Sequence, residues 1–192
     1  MSKVIFDISL SLDGFMTAAH QRPEEPMGEG GLRLVQWAFG DDERDREVLN
    51  AGIASAGAVI AGRRTYDTSV PWWGPDGPSG EARLPVFVVS HREPEDVPVG
   101  GVYTFVGGIE EALERARAVA GERYVTVMGG AQTGQQFLRA GLVDELSLHV
   151  VPILLGAGTP MFENLGDEHQ AFEVTSAVKT SQAVHLRLRA VR

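Results

Sequence analysis

The stretch from residue 123 to residue 136, RYVTVMGGAQTGQQ, constrains the fold of this chain more than any other feature. A short β-branched run through Val127 predicts a buried strand, and Gly129 and Gly130 follow it directly. Residues 131–139 can then form a helix. A strand, a glycine pair and a helix bring backbone N–H groups close to a phosphate, because glycine permits close approach and a helix N-terminus favours negative charge. A plain tight turn explains the same spacing equally well.

Strand and helix patterns alternate along the rest of the chain, and two long strands joined by a polar turn near residues 180–182 end it. Alternating elements predict an α/β fold, a three-layer α/β/α arrangement with a mixed, mainly parallel sheet and a C-terminal antiparallel hairpin. Loops are predicted over residues 18–34 and 71–80, which are rich in Gly and Pro. The other predicted strands cover residues 3–10, 58–61, 85–90, 102–106 and 144–151, and the other predicted helices cover residues 41–56 and 109–120, with a short one opening at residues 62–65.

The last strands alternate in polarity, which predicts one apolar and one polar face. Leu146, Leu148 and Val150 alternate with Ser147 and His149, and Val184, Leu186 and Leu188 lie opposite His185, Arg187 and Arg189. The acids Asp41, Asp42, Glu43 and Asp45 are interpreted as a helix cap and a solvated helix face, with one of them facing a ligand pocket as the alternative.

Length and charge exclude several classes of protein. A chain of 192 residues predicts a single domain over residues 1–192, and a formal net charge of −9 argues against a nonspecific binder of nucleic acid or anionic membranes. The chain has no cysteine, and its five His residues lack metal-ligand spacing, so we expect no metal site. The start lacks a signal-peptide pattern and no apolar run is long enough to span a membrane, which predicts a cytoplasmic protein.

Polar side chains follow several of the predicted parallel strands. Because ligands bind at the carboxyl ends of strands in such sheets, we expect these side chains to share one ligand-binding edge. Arginine suits bidentate binding of phosphate, so three arginines near a glycine turn predict an anionic, nucleotide-like ligand, whereas any one alone is more simply a surface residue. The dinucleotide pattern Gly-x-Gly-x-x-Gly is absent. The strand-end residues are Asp13, Arg63, Arg64, Thr65, Ser90, His91, Arg92, Gly129 and Gly130.

Asp13 is the candidate catalytic acid, since it precedes Gly14 at the end of the first strand. Its carboxylate can bond a polar heterocycle or support protonation, or it can simply cap its own turn. Trp72 and Trp73 can stack on a ligand, form a lid or pack in a partner subunit, and the sequence does not choose among these roles.

Four stretches in this order resemble the dihydrofolate reductase superfamily, most closely the C-terminal reductase domain of the riboflavin-biosynthesis deaminase-reductases. The segment from residue 142 to residue 158 is also typical of that branch. The region over residues 28–37 departs from folate reductases, which have a Leu-Pro-Trp stretch there and an acid on the following helix. The matching stretches are SLDGF at residues 11–15, AGRRTY at residues 61–66, VVSHR at residues 88–92 and VMGG at residues 127–130.

The resemblance implies an NADPH-dependent reductase of a small heterocyclic or carbonyl substrate, with Asp13 near the nicotinamide. It also implies a cis peptide bond between Gly129 and Gly130, as in the family. We expect a homodimer that binds a small molecule. A nucleotide-binding module without hydride transfer and a site for another ligand, such as a flavin, are the alternatives. The resemblance gives the cofactor site as Gly62, Arg63, Arg64, Thr65, Ser90, His91 and Arg92 around the adenosine phosphates, and Gly129, Gly130, Ala131, Gln132 and Thr133 around the pyrophosphate.

Overall fold

A computed structural model describes residues 2–191, and ten strands and four α-helices lie within that range. Short 3₁₀ turns at Gly31–Leu34, Gln36–Phe39, Gly74–Asp76 and Gly80–Ala82 complete the regular elements of this range. The strands are β1 (Val4–Ser11), β2 (Phe15–Ala18), β3 (Ala56–Gly62), β4 (Val86–Val89), β5 (Tyr103–Val106), β6 (Tyr124–Met128), β7 (Glu145–Val151), β8 (Gly158–Pro160), β9 (Phe172–Lys179) and β10 (Val184–Ala190), and the helices are α1 (Glu43–Ser55), α2 (Arg63–Trp73), α3 (Ile109–Ala120) and α4 (Ala131–Arg139).

Eight strands form one sheet in the order β5-β4-β3-β6-β1-β7-β10-β9. The pairs from β5 to β7 are all parallel, and β10 runs antiparallel to both β7 and β9. This mixed sheet with a C-terminal antiparallel hairpin confirms the fold predicted from the sequence. A small antiparallel pair, β2 with β8, was not predicted, because each of its strands has no more than four residues.

One face of the sheet packs against α3 and α4 and holds the larger apolar core. Phe6 on β1 and Phe137 on α4 are fully buried there. Gly134 brings α4 onto the sheet, because a Cβ at this position would lie 2.1 Å from the Phe6 ring. The helix that follows the glycine pair is therefore set tightly against the central strand.

The opposite face of the sheet is covered by α1, α2 and the turn that carries Trp37. Tyr66 of α2 packs edge-on against Tyr103 and Phe105 at one end of this face. Trp37, with Val48 and Leu49 of α1 nearby, packs in a separate apolar cluster at the other end. Both faces of the sheet are thus covered, so polar residues on either face can be buried.

The loop predicted from residue 71 begins later than expected. Helix α2 continues through Pro71 and Trp72 to Trp73, and 3₁₀ turns follow it. Pro71 lacks the N–H that would donate to the carbonyl four residues earlier, and the helix ends two residues after it. The Trp72 side chain is 78% exposed. Among residues 2–191, no helix is long and apolar enough to cross a membrane.

Candidate functional site

Two helix N-termini meet at the carboxyl ends of neighbouring strands, as the strand-end pattern predicts. Strands β3 and β6 are parallel neighbours; β3 leads directly into α2, and β6 leads into α4 through Gly129 and Gly130. A Cβ at Gly62 would lie 2.5 Å from Thr133 Oγ1, and one at Gly129 would lie 2.5 Å from Thr65 Cγ2. The N-cap residues of the two helices are glycines, Gly62 and Gly130, so no N-cap side chain bonds to the first N–H groups of either helix. Their free N–H groups make this edge a favourable place for an anion.

The peptide bond between Gly129 and Gly130 is trans, so the cis bond implied by the resemblance is wrong for this structure. Residues 2–191 contain no cis peptide bond. Both glycines instead have φ near 62°, a left-handed conformation that turns the strand into the helix and that glycine adopts without strain.

Arg63 connects this edge to the end of β4. Its Nε donates to Asp67 Oδ1 at 2.7 Å, and its Nη1 donates to Ser90 Oγ at 3.2 Å and to the Arg92 carbonyl at 2.8 Å. Arg63 therefore organises the loop after β4 and is itself largely occupied. The guanidinium groups of Arg64 and Arg92 make no hydrogen bond or ion pair within residues 2–191, and both residues are exposed.

The remaining predicted cofactor residues lie around the same edge. His91 and Gln132 are exposed, Ala131 is half-buried, and Thr133 is buried against Gly62. The structure thus brings the predicted cofactor residues to one edge of the sheet.

Asp13 lies beyond β1 and holds a neighbouring loop. Its carboxylate accepts hydrogen bonds from Ser11 Oγ at 2.6 Å, from Gly156 N at 2.7 Å and from Leu155 N at 3.1 Å. The Ser11 hydroxyl, followed by the backbone N–H groups of Gly156 and Leu155, lowers the pKa of Asp13 to about 2. Asp13 is therefore an exposed, ionised group that joins the end of β1 to the loop after β7.

A cavity of about 340 Å³ opens between α1 and the face of the sheet that α1 covers. Its floor carries polar side chains of the central strands, and its walls include apolar residues of α1 and the ring of Trp37. Met128, which precedes the glycine pair, is part of its lining, so the cavity adjoins the strand-end edge. The polar floor residues include Asp7, Thr126, Ser147, His149 and Arg187.

Four ionisable side chains form a continuous chain from beneath α1 to this cavity, and we call them the relay: Asp45, His185, His149 and Asp7. Asp45 Oδ1 lies 2.7 Å from His185 Nε2, and the Nδ1 atoms of His185 and His149 are 2.7 Å apart. His149 Nε2 lies 3.4 Å from both carboxylate oxygens of Asp7. The Asp7 side chain is 32% exposed, whereas those of Asp45, His185 and His149 are almost fully buried.

The relay is held by contacts at both sides. Asp42, the N-cap of α1, accepts from the backbone N and the hydroxyl of Ser181 in the β9–β10 turn, which fixes the first turn of α1 and so the position of Asp45. Trp37 covers the two histidine rings, at 4.2 Å from His149 and 4.8 Å from His185 between centroids, and its indole N–H donates to Ser9 Oγ.

The pKa values of two relay groups are lowered for different reasons. Burial, followed by repulsion from His149, lowers the pKa of His185, although Asp45 opposes this. Burial raises the pKa of Asp7, but His149, Ser147 and Arg187 together outweigh burial, and the net pKa is lowered. Asp7 is therefore an anion at the floor of the cavity, and His185 is harder to protonate than an ordinary histidine.

The sequence interpretation missed the relay. His149 and His185 were placed on polar strand faces and Asp45 on a solvated helix face, yet all three are buried. The polar faces are buried because α1 and Trp37 cover that side of the sheet. A signal was available in α1, since Asp45 shares the helical spacing of Val48 and Leu49 and so falls on the inward face.

Within residues 2–191, no group of three or more His, Cys, Asp or Glu side chains is arranged to hold a metal ion.

Comparison with known proteins gives consistent matches. The family model of the RibD C-terminal domain matches residues 2–186. The uncharacterised protein YwjB of Bacillus subtilis (strain 168) is 30% identical over 129 residues, which cover 67% of this chain and 70% of that protein.

Two solved structures share the fold. A protein of Shewanella sp. PV-4 named for riboflavin biosynthesis matches with a TM-score of 0.74 at 23% identity, over the whole of both chains. The Thermotoga maritima diaminohydroxyphosphoribosylaminopyrimidine deaminase/5-amino-6-(5-phosphoribosylamino)uracil reductase matches with a TM-score of 0.68 at 15% identity, over 99% of this chain and 57% of that one.

Proposed function

Because the chain belongs to the family of the RibD C-terminal domain, we propose that it is an NADPH-dependent reductase of a small pyrimidine-like heterocycle. A reductase of a pyrimidine compound is among the proteins that share its fold. The wider substrate class predicted from the sequence also includes pterins and carbonyl compounds, and the experiment below distinguishes them.

The meeting of the two uncapped helix N-termini is the observation that carries this proposal. Added methyl groups at Gly62 and Gly129 would collide with Thr133 and Thr65, so these glycines let the two helix N-termini pack closely together, and we call the place where they meet the glycine cradle. Backbone N–H groups at two helix ends favour a phosphate or pyrophosphate through hydrogen bonds and the helix dipoles. The residues present therefore fit the diphosphate of a dinucleotide.

In this proposal the strand-end residues bind NADPH and supply no chemistry of their own. Gly129, Gly130, Ala131, Gln132 and Thr133 hold the pyrophosphate at the start of α4. The free guanidinium groups of Arg64 and Arg92 bind the adenosine phosphates, with Gly62, Thr65, Ser90 and His91 beside them and Arg63 ordering the loop. When bound, the nicotinamide would supply the hydride.

The cavity beneath α1 is the proposed substrate site. It adjoins Met128 and the glycine pair, and its volume of about 340 Å³ suits a single heterocycle with a small substituent. Its polar floor offers Asp7 and Ser147 to ring N–H and carbonyl groups, while Leu49 and Ile53 of α1 cover a ring face. The catalytic role predicted for Asp13 stays a prediction, and its three hydrogen bonds support a role in holding the loop after β7.

A homodimer is part of the proposal, and the edge strand β9 supports it. Six of the eight residues of β9 are exposed, including Val174 at 63%. A long edge strand with apolar side chains is a surface that proteins usually cover. The single domain and the cytoplasmic location predicted from the sequence stay predictions.

Calorimetry with NADPH and NADH, followed by a spectrophotometric screen, tests the function. We expect NADPH to bind more tightly than NADH, and its absorbance to fall when a pyrimidine is added. Loss of absorbance with pterins or quinones alone would overturn the pyrimidine class. NADPH binding without turnover on any of the three classes would favour the nucleotide-binding module, and binding of a flavin in place of NADPH would overturn the cofactor assignment.

A further inference from the structure

The positions of the hydrogen atoms in the relay follow from the distances between its side chains. Asp45 lies at the closed end, where Oδ1 bonds His185 and the buried Oδ2 has no hydrogen-bond partner within residues 2–191. A carboxylate there accepts from His185 Nε2–H. A neutral His185 then has a lone pair on Nδ1, and the 2.7 Å contact requires His149 to donate from its own Nδ1.

This assignment leaves His149 Nε2 without a hydrogen, facing Asp7. The two contacts that contain a hydrogen are both 2.7 Å, whereas the contact between His149 Nε2 and the Asp7 oxygens is 3.4 Å. The longer distance agrees with two acceptors facing each other. One more proton fills this gap at the floor of the cavity: His149 then donates from Nε2 to Asp7, and this is the contact through which His149 lowers the pKa of Asp7.

The surroundings favour this proton on His149 Nε2, because they stabilise Asp7 as an anion. Arg187 on β10 and Ser147 on β7 stabilise the Asp7 anion, and Arg187 is itself paired with the buried Glu145. Trp37 covers the histidine rings from the side of α1. Asp7 is the most exposed member of the relay and lies at the cavity, whereas Asp45 is fully buried, so the Asp7 end is the end that exchanges protons with the cavity.

We propose that Asp7 and His149 are the pair that donates the proton in the reduction, and that Asp45, acting through His185, positions His149 with its basic Nε2 towards Asp7. The catalytic part of this inference rests on the function proposed above. Asp7 and His149 are then the catalytic groups at the cavity floor, and Asp45 and His185 are positioning residues. Fixing a histidine tautomer through a buried carboxylate is a general device of acid–base catalysis.

The reaction balances with NADPH as the reductant. The substrate carbon of a C=N or C=O bond gains a hydride, and the nitrogen or oxygen gains a proton. An N–H or O–H bond forms on the substrate as the corresponding bond to the Asp7–His149 pair breaks. The two electrons of the broken bond stay on Asp7 or His149, so these two residues are left without the extra proton. Water in the cavity then supplies the next proton.

The first test is NMR of isotope-labelled imidazole nitrogens in the wild-type protein, which needs neither cofactor nor substrate. At neutral pH we expect His149 to carry its hydrogen on Nδ1 and none on Nε2. On acidification His149 and His185 should titrate together, and Asp7→Asn should change that titration while leaving exposed His169 unchanged. A hydrogen on His149 Nε2 at neutral pH would overturn the positioning role, as would an unchanged His149 tautomer in Asp45→Asn.

The second test is the rate of a single turnover as a function of pH, with a reducible pyrimidine. We expect Asp7→Asn to lower the rate by a factor of roughly 100 or more while the NADPH affinity stays within about twofold. Asp45→Asn should shift the pH at which the rate changes, whereas loss of a purely structural contact would leave that pH unchanged. His169→Gln serves as the control. A full rate in Asp7→Asn would overturn the assignment of the proton donor.

The two tests separate this inference from the function on which it rests. Absence of NADPH binding would overturn the proposed function and the catalytic assignment of Asp7 with it. The expected tautomer and joint titration in the first test would still support the positioning of His149 by Asp45. Thermal midpoints of all variants exclude misfolding as the cause of a lost rate, and the wild-type NMR measurement does not depend on any variant.

Discussion

His149 and His185 face each other through their Nδ1 atoms at 2.7 Å, from directly paired positions of β7 and β10. A contact of this length holds one hydrogen between two nitrogen atoms, so one ring donates and the other accepts. The two rings thereby fix each other's tautomer. Buried below Trp37 and tied to Asp45, they form the buried polar part of the interface between α1 and the sheet.

The lowered pKa of His185 predicts a stability that depends on pH. The folded protein binds a proton at His185 less readily than the unfolded chain, whose histidines titrate near pH 6.5. The free energy of unfolding is therefore at its full value above that pH. It falls as the pH drops below that value, by at most about 1.4 kcal/mol per pH unit for this one group. Urea unfolding between about pH 7.5 and about pH 5.5 measures this slope. His185→Gln should flatten it and His169→Gln should not, and equal slopes in all three proteins would contradict the prediction.

Gly129→Ala is expected to destabilise the folded protein more than Gly141→Ala does. Both glycines have φ near 62°, so each substitution carries a left-handed penalty of roughly 1–2 kcal/mol. Only at Gly129 would the added Cβ also collide with Thr65, whereas nothing lies within 4 Å of it at Gly141. The collision with Thr65 should lower the free energy of unfolding by a further 1–3 kcal/mol, roughly, and should weaken NADPH binding. Denaturant unfolding and calorimetry of the two variants measure the difference, and equal losses would argue against a tight cradle.

Asp13 is expected to stabilise the protein in a window of acidic pH. Its pKa of about 2 in the folded protein lies below the ordinary value of 3.8, so its contribution is present above about pH 4 and is lost as the pH falls towards 2. Asp13→Asn should lower the thermal midpoint at neutral pH and reduce its decline across that window, while Asp167→Asn, an exposed acid, should change neither. If Asp13→Asn instead keeps its stability but loses turnover, a catalytic role is favoured over the loop contact.

Arg92→Gln is expected to weaken NADPH binding and to leave NADH binding nearly unchanged. The Arg92 guanidinium is exposed and unpaired within residues 2–191, so it is available to the additional phosphate of NADPH. Loss of a charge-assisted contact should cost about 1.5–3 kcal/mol, roughly tenfold or more in affinity. Calorimetry with both cofactors measures this change, with Arg22→Gln as a control because Arg22 pairs with Glu25 on another loop. Equal weakening of NADPH and NADH would point to a general loss of charge.

Val174→Lys is expected to convert the proposed dimer into a monomer. Val174 is exposed on the edge strand β9, and lysine on an edge strand opposes pairing with another chain. Sedimentation equilibrium measures the mass of this variant and of Val99→Lys, a control at an exposed loop valine. A wild-type protein that is monomeric, or a variant that stays dimeric, would contradict an interface at β9.

Much of the fold could be predicted from the sequence because it depends on local patterns. Alternating strand and helix segments predicted the mixed sheet, and residues directly after the strands, such as Thr65 and Gly129, fell at its carboxyl edge. These inferences need only the period of apolar residues and the direction of parallel strands. The boundary predicted at Pro71 was wrong because the helix runs two residues past the proline, and the peptide bond between Gly129 and Gly130 is trans, with positive φ at both glycines making the turn.

By itself the sequence determined the order of elements, the glycine cradle and the edge on which the arginines lie, since each of these follows from neighbours along the chain. Only the tertiary structure decided which polar residues are buried. Asp7, Asp45, His149 and His185 lie on β1, α1, β7 and β10, and their contacts join residues 36 to 142 positions apart. No local pattern specifies the register of β10 on β7 or the packing of α1 across both, and those two choices place the histidines against each other and beneath the same helix.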